Sequence, residues 1–195
     1  FGEIEENFEL PKREALFPLI SKRSSKLKNH LEFLASEDLK GREIGTEEIK
    51  IASKYIEKIF EENGLEPAGN NGFLQTWQAN YDEKKIELSN VIGIIRGSDP
   101  KLKDTFVVLG AHYDHLGYGN LHAKPGNKGK IHPGANDNAS GVAVLLEVAQ
   151  IFAKKGKMKR SVIFIALTGE ENGLLSTKYF IATVDKKEKV VSMIN

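Results

Sequence analysis

Three short polar motifs carry the residue types that could do chemistry in this chain. The first is His112-Tyr113-Asp114-His115, which directly follows an apolar run. Residues two apart in an extended segment face the same way, so His112 and Asp114 share a side. Imidazole is a common zinc ligand, and a metal-bound histidine usually donates its other ring N–H to a carboxylate. The pair is consistent with a metal ligand and its orienting partner, or with a polar surface turn.

The second motif surrounds Asp137 with small residues, in the segment GANDNASG at 134–141. Because this segment precedes a helical pattern, Asp137 could cap the helix by accepting its first free N–H groups. The small neighbours also permit a close backbone approach around an acidic side chain. Taken alone, the motif leaves a helix cap and a metal ligand as equal alternatives.

The third motif is the pair Glu170 and Glu171, which follows the continuous apolar run RSVIFIALT. Two adjacent carboxylates at the end of a buried strand are costly unless a cation, protons or solvent compensates their charge. One interpretation is a solvated pair that opens a helix. The other divides the roles, so that one glutamate binds a metal ion and its neighbour transfers a proton.

The three motifs together are more specific than each alone. Ligands of α/β sheets bind beyond the carboxyl ends of the strands, and each motif follows a predicted strand or precedes a helix at that edge. The set predicts a zinc site in a hydrolytic centre, with His112, Asp137 and Glu171 as metal ligands. Glu170 would then be the general base toward a bound water.

The elements that position these motifs follow from apolar periodicity. A first helix is predicted from a cap at Ser24 or Ser25 to Gly41, and a second from Thr46 to Gly64. Further helices are predicted over 139–153 and 174–182, and strands over 74–81, 90–96, 105–111, 160–168 and 189–194. The alternation of strands and helices in the second half predicts an α/β fold, with a mostly parallel mixed sheet and helices on both faces.

Composition excludes several classes of protein. The 195 residues are 40% hydrophobic and 28% charged, which is typical of a globular core and excludes disordered and fibrous chains. A formal net charge of +1 provides no field to recruit nucleic acid or an anionic membrane, so we expect neither as a partner. The longest apolar runs are far shorter than the roughly 18–20 residues that cross a bilayer. Because cysteine is absent, a metal must be bound by histidine and carboxylates.

Two further expectations concern the organisation of the chain. Residues 1–25 mix acidic and basic side chains with short apolar pieces, and we interpret them as an N-terminal arm ahead of a single domain over 26–195. Three histidines flank or occupy a glycine-rich loop, and we expect them to be exposed to solvent, with substrate gating as the alternative: His115, His122 and His132.

Three segments resemble the co-catalytic di-zinc aminopeptidases, a family that also contains aminopeptidase Y, glutamate carboxypeptidase and the animal glutaminyl cyclases. They are LGAHYDHLGYG at 109–119, HPGANDNASGVAVLLEVAQ at 132–150 and RSVIFIALTGEENGLLSTKYF at 160–180. The stretch HLEFLASEDLKGREIGT at 30–46 also resembles the lead-in helix of the bacterial members. The resemblance implies the zinc-dependent exopeptidase fold, with 26–195 as the N-terminal part of one peptidase catalytic domain.

The resemblance implies a role for each site residue by position. His112 would bind one zinc ion, with Asp114 as its orienting partner. Asp137 would bridge two zinc ions, Glu171 would bind the second ion, and Glu170 would be the general base. The resemblance also implies a cis peptide bond after Asp137. The implied reaction is hydrolysis of the N-terminal peptide bond of a peptide substrate, for which zinc supplies Lewis acidity.

The resemblance also implies ligands that are absent from these 195 residues. Family members continue beyond the strand that matches VVSMIN with an aspartate for the His112 zinc and, later, a histidine for the other ion. Each ion would keep two protein ligands here, whereas catalytic zinc generally has three. We therefore expect weak zinc binding and an inactive fragment. The last strand would also form an exposed apolar edge, which favours self-association.

Other functions of the same scaffold stay open as alternatives. These are carboxypeptidase chemistry, glutaminyl cyclase chemistry and a non-catalytic interaction domain. The HYDHLG and GEENG segments look closer to the bacterial aminopeptidases, and the matching positions keep the active residue types. Because bacterial relatives are often exported, the resemblance favours a periplasmic or secreted location, with the cytoplasm as the alternative.

Overall fold

The computed structural model describes residues 13–119, 123, 126–156, 158–184 and 189–195, with side chains described from Ser24 onward. The helices are α1 (Arg13–Leu34), α2 (Glu47–Glu62), α3 (Ser140–Lys155) and α4 (Leu175–Thr183). The strands are β1 (Glu66–Pro67), β2 (Leu74–Tyr81), β3 (Lys84–Ile95), β4 (Phe106–His112), β5 (Ser161–Leu167) and β6 (Val190–Ile194). They form one mixed sheet in the order β1-β3-β5-β4-β6, and β2 pairs with β3. Within the described residues, no helix combines the length and apolar character that a bilayer span requires.

The first helix begins well before its predicted cap. α1 starts at Arg13, so the predicted start at Ser24 or Ser25 is wrong. The predicted apolar pattern starts only at Leu27, and the helix extends beyond it through residues 13–23, which include Pro18. The part of the predicted arm before Arg13 lies outside the described residues.

The glycine predicted to end the first helix belongs instead to a separate turn. α1 ends at Leu34, and a short 3₁₀ helix follows over Glu37–Leu39. The next three residues all have positive φ, with 43° at Lys40, 76° at Gly41 and 49° at Arg42. Positive φ is costly for a residue with a β carbon, so the surrounding structure must hold this turn in place.

The second helix agrees with its sequence signals. The Thr46 hydroxyl oxygen accepts the N–H of Ile49 at 3.4 Å, so Thr46 is the N-cap, which confirms the predicted start of the helix. Most of the predicted apolar face is fully buried, and Ile59 packs against it while partly exposed; the buried members are Ile49, Ala52, Ile56 and Phe60. α2 therefore contributes a conventional amphipathic face to the core.

A hairpin that the sequence analysis missed makes the sheet less parallel than predicted. β3 begins at Lys84 rather than near Asn90, and it pairs with β2 from Tyr81 back to Leu74. Asp82 and Glu83 connect the strands with φ values of 49° and 60°, and such a two-residue connection requires antiparallel strands. Of the five strand pairings described, three are antiparallel, and the two parallel ones join β4 to β5 and β4 to β6.

Helices cover both faces of the sheet, as predicted. Alternate residues of β5 point to opposite sides, so Phe164 and Ala166 join the core cluster that α2 and α3 share, while Ile165 and Leu167 join a second cluster with Phe180 of α4. Because β4 and β5 run parallel between these layers, their carboxyl ends lie side by side. The loops after both strands therefore leave the core at the same edge.

Candidate metal centre

Three chain segments meet at this edge of the sheet. His112 is the last residue of β4 and lies opposite Leu167, the last residue of β5, in the parallel register. Glu170 and Glu171 follow β5 directly, and Asp137 lies in the turn that leads into α3. The structure thus brings together the residues of all three sequence motifs.

Three of the predicted zinc ligands form one cluster. His112, Asp137 and Glu171 each present a ligand atom, and these atoms lie within 4.8 Å of one another. The imidazole Nε2 of His112 lies 3.0 Å from Oδ1 of Asp137. One nitrogen and two carboxylate oxygens are donor types that zinc accepts, so the cluster fits this ion. The Asp137 side chain is 62% exposed, which leaves this side of the cluster open to solvent.

The turn that presents Asp137 is not a simple helix start. Asp137 has non-helical backbone angles of φ −128° and ψ 95°, and α3 begins at Ser140. The capping alternative for Asp137 is therefore wrong, and the Asn138 side chain accepts the N–H of Gly141 at 2.9 Å instead. The peptide bond between Asp137 and Asn138 is cis, as the resemblance implied.

Asp114 holds both the histidine and the glutamates in place. Its carboxylate is fully buried and accepts the backbone N–H of Glu170 at 3.2 Å and that of Glu171 at 3.3 Å. His112 Nδ1 lies 3.2 Å from the backbone carbonyl of Asp114 and 3.7 Å from its carboxylate. The sequence predicted only the contact with His112. Asp114 also orders the loop after β5, because its two oxygens fix two successive peptide groups.

The cluster changes the protonation of His112. Burial lowers the pKa of His112, but the nearby carboxylates of Asp114, Glu170 and Asp137 outweigh it and raise the pKa to about 9. A histidine with this pKa carries a proton at neutral pH when it faces these carboxylates. Zinc requires the neutral ring, so a proton and the metal ion compete for Nε2.

Glu170 is placed at the margin of the cluster rather than inside it. Its Oε2 lies 4.0 Å from His112 Nε2, and its side chain is 32% exposed. Burial raises the pKa of Glu170, His112 lowers it, and repulsion from Glu171, Asp114 and Asp137 raises it further, so that the net direction is upward. A carboxylate with a raised pKa and access to solvent is suited to receive and return a proton.

His115 is a site residue whose position the sequence analysis did not predict. Its side chain is 11% exposed, and Nδ1 lies 2.6 Å from Oε1 of Glu171. The expected solvent exposure is therefore wrong for His115, because the chain turns after β4 and returns this ring to the cluster. His132 is partly buried, with its ring 6.4 Å from that of His115. His122 lies outside the described residues.

Arg42 is a second residue that sequence reasoning missed. Its side chain is fully buried and hydrogen-bonded to backbone carbonyls beside the motifs of His112 and Asp137. Burial lowers the pKa of Arg42 to about 10, and attraction to Asp114 and Asp137 partly offsets the decrease, so the side chain remains a cation at neutral pH. The available signal was an arginine between two turn glycines, in the KGREIG segment.

Zinc affinity is expected to increase with pH. Because His112 has a pKa of about 9, it must lose a proton to bind zinc, and acid therefore opposes binding. Between about pH 6 and pH 8 the affinity should rise by about tenfold per pH unit. Equilibrium dialysis at several pH values measures the dependence, and calorimetry in two buffers of different ionisation enthalpy measures the released proton. An affinity independent of pH, without proton release, would contradict the competition.

Comparison with known proteins supports a common origin. Residues 90–195 match the profile of peptidase family M28. A probable zinc metalloprotease of Pyrenophora teres f. teres (strain 0-1) is 31% identical over 158 residues, which cover 79% of this chain and 32% of that protein. Aminopeptidase YwaD of Bacillus subtilis (strain 168) is 34% identical over 106 residues, covering 54% of this chain and 20% of that protein. The chain spans about a third or less of the length of these relatives.

Solved structures share the fold. The aminopeptidase from Aneurinibacillus sp. strain AM-1 superposes with a TM-score of 0.66 at 17% identity, over 89% of this chain and 70% of that one. A Bacteroides thetaiotaomicron glutaminyl cyclase bound to N-acetylhistamine superposes with a TM-score of 0.65 at 21% identity, over 88% of this chain and 59% of that one. These similarities confirm the mixed α/β fold, and the profile match covers more than half of the chain. The chain therefore belongs to peptidase family M28.

Proposed function

We propose that this chain carries part of the active site of a zinc-dependent aminopeptidase, which hydrolyses the N-terminal peptide bond of a peptide. The observation that carries the proposal is the convergence of His112, Asp137 and Glu171 within 4.8 Å, with Glu170 beside them. The first three would hold zinc, and Glu170 would handle the proton. Membership of family M28 and the similarity to an aminopeptidase support the same conclusion.

The proposed reaction adds one water across the peptide bond. Bound zinc would supply Lewis acidity toward the scissile carbonyl. Oε2 of Glu170 would accept a proton from the water as the new carbon–oxygen bond forms. The same oxygen would return that proton to the amine nitrogen as the carbon–nitrogen bond breaks, so Glu170 ends the cycle unprotonated. Asp114 would support this transfer by holding the Glu170 backbone through its N–H.

The two-zinc arrangement of the complete protein is also part of the proposal. With Asp137 shared between two ions, His112 and Glu171 would each belong to one of them, which gives two protein ligands per ion from this cluster. Catalytic zinc generally has three protein ligands. We therefore propose that the 195 residues bind zinc weakly on their own, and that peptidase activity requires a longer polypeptide.

A substrate panel tests the proposed activity. A longer polypeptide that contains this chain would be loaded with zinc and assayed on amino-acid anilides, on peptides with a free C-terminus and on peptides with N-terminal glutamine. We expect release from the anilides and loss of this activity on chelation. Cyclisation of glutamine without anilide hydrolysis would favour the glutaminyl cyclase alternative, which shares the fold. Zinc binding without turnover on any substrate would favour an interaction domain.

Self-association of the 195-residue chain is a further expected result. Among the described strands, β6 lies at an edge of the sheet, and its Val191, Met193 and Ile194 are 52%, 37% and 63% exposed. An exposed apolar edge strand is a template for pairing with another copy. Light scattering at micromolar concentration should give a mass above the 21.7 kDa monomer, and Val191→Lys should reduce it. A monomeric mass of the unmodified chain would contradict this expectation.

A further inference from the structure

Arg42 combines complete burial with four side-chain hydrogen bonds to backbone carbonyls. Its guanidinium lies in the loop that precedes α2, and its exposed fraction is 0%. Nε donates to the carbonyl of Tyr113 at 2.8 Å, and Nη2 donates to the carbonyl of Gly134 at 3.0 Å. Nη1 donates to the carbonyl of Pro133 at 2.8 Å and also to that of Leu34. A buried cation is tolerated when its donors are hydrogen-bonded, and carbonyl oxygens accept from all three guanidinium nitrogens here.

Three of the four carbonyls that Arg42 binds lie next to the metal cluster, on two different segments. Tyr113 stands between His112 and Asp114, at the end of β4. Pro133 and Gly134 open the turn that presents Asp137. The guanidinium therefore links the segment that carries the nitrogen ligand to the segment that carries the exposed carboxylate, although the two are more than twenty residues apart in sequence.

The backbone of the same residue makes a further link to the site. The carbonyl of Arg42 accepts the N–H of His115 at 3.1 Å, and the carbonyl of Gly41 accepts that of Gly117 at 3.1 Å. Arg42 makes these contacts with a φ of 49°. Non-glycine residues with such angles are strained and persist where the surrounding structure holds them. The loop at 41–42 is thus hydrogen-bonded to the segment after β4 through both its main chain and the Arg42 side chain.

We propose that Arg42 is a positioning residue for the metal centre, which sets the separation of His112 Nε2 and Asp137 Oδ1. Its planar guanidinium presents donors in a fixed geometry, so its contacts to Tyr113 and Gly134 determine the relative position of the two segments. A lysine ammonium has three donors on a flexible side chain and cannot reproduce this planar arrangement of donors. The inference rests on the proposed zinc site and adds the residue that aligns it.

Zinc binding by the variant Arg42→Lys tests this role. The variant keeps the positive charge and removes the planar guanidinium. We therefore expect zinc affinity to fall by roughly 10–100-fold, which is the usual loss when a group that orients a metal ligand is replaced. Arg96→Lys is the matched control, because Arg96 forms an exposed ion pair with Glu66 at 2.9 Å and should keep its zinc affinity within about twofold. Equilibrium dialysis of the folded proteins against zinc gives both values.

General destabilisation is separated from positioning by a second control. Ile56→Val removes a methylene from the fully buried face of α2, a helix that carries none of the cluster residues, and lowers stability. We expect Ile56→Val to bind zinc with the affinity of the unmodified chain. Unfolding in urea gives the free energy of unfolding of each variant, so that losses of stability and of zinc affinity can be compared. Unchanged zinc affinity in folded Arg42→Lys would overturn the inference, as would an equal loss of zinc affinity in Ile56→Val.

The unmodified chain provides a test that does not require the variant to fold. In a nitrogen-15 spectrum, the Arg42 Nε–H signal is expected to shift when zinc is added, because its acceptor is the carbonyl between His112 and Asp114. The Arg96 signal should not move. Zinc binding that leaves the Arg42 signal unchanged would overturn the positioning role alone. If the chain bound no zinc at saturating concentration, the proposed zinc site would fail and this inference with it.

Discussion

Replacement of Asp137 by alanine is expected to remove most of the zinc affinity of the chain. The Asp137 carboxylate lies 3.0 Å from His112 Nε2 and belongs to the same three-residue ligand cluster as Glu171. Without it, one imidazole and one carboxylate would be left as donors. Loss of groups that merely orient ligands costs about 10–100-fold in affinity, so loss of a ligand should cost on the order of 100-fold or more. Equilibrium dialysis against zinc measures the change.

Two further variants define what Asp137 does. Asp137→Asn keeps the size of the side chain and removes its charge, so it should also bind zinc weakly while preserving the turn. Asp104→Ala removes an exposed carboxylate elsewhere and should leave zinc affinity unchanged. Wild-type affinity in both Asp137 variants would show that the cluster is not the zinc site. Circular dichroism would establish that each variant has retained the helices and the sheet.

Replacement of Glu170 by glutamine is expected to reduce turnover strongly while zinc binding persists. Glu170 Oε2 lies 4.0 Å from His112 Nε2, and glutamine cannot accept the proton that hydrolysis transfers. The Glu170 backbone N–H donates to Asp114, and glutamine retains this hydrogen bond, so the loop should keep its conformation. In a longer polypeptide that hydrolyses amino-acid anilides, kcat should fall by about 10²–10⁴-fold, which is the usual contribution of a general base.

The contrast between turnover and zinc affinity separates a proton-transfer role from a ligand role. Zinc affinity of Glu170→Gln should stay close to that of the unmodified protein, whereas a ligand variant would lose both properties. Glu83→Gln, in the exposed hairpin turn, is the matched control and should keep full activity. Retained turnover in Glu170→Gln would exclude Glu170 as the general base. A loss of zinc affinity together with turnover would show instead that Glu170 is a zinc ligand.

Local sequence signals predicted several helices and strands, because each signal depends only on residues a few positions apart in the chain. The Thr46 cap, the apolar face of α2 and the full extent of β2 follow from side chains within a few positions of each other. The three polar motifs could also be located from the chain alone, since each follows a strand or precedes a helix. The motifs together also predicted Asp137 as a metal ligand and Glu170 as the general base, and the resemblance to a known family added the sharing of Asp137 between two ions.

Helix and strand boundaries without a local apolar pattern were not predictable in this way. α1 extends back to Arg13, through residues that include Pro18 and that carry no predicted helical pattern. β3 begins at Lys84 because Asp82 and Glu83 adopt positive φ, which allows a tight hairpin although neither residue is glycine. In both places the periodicity that the sequence analysis used was weak or absent.

The sequence by itself determined which side chains were available for metal chemistry and which strand ends would present them. Only the tertiary structure decided their mutual arrangement: that Asp114 binds the backbone of both glutamates, that His115 returns to Glu171, and that Arg42 joins the loops around the cluster. These contacts join residues separated by tens of positions. Their existence depends on the path of the chain through the sheet, because hydrogen bonds require distances and angles that no local pattern specifies.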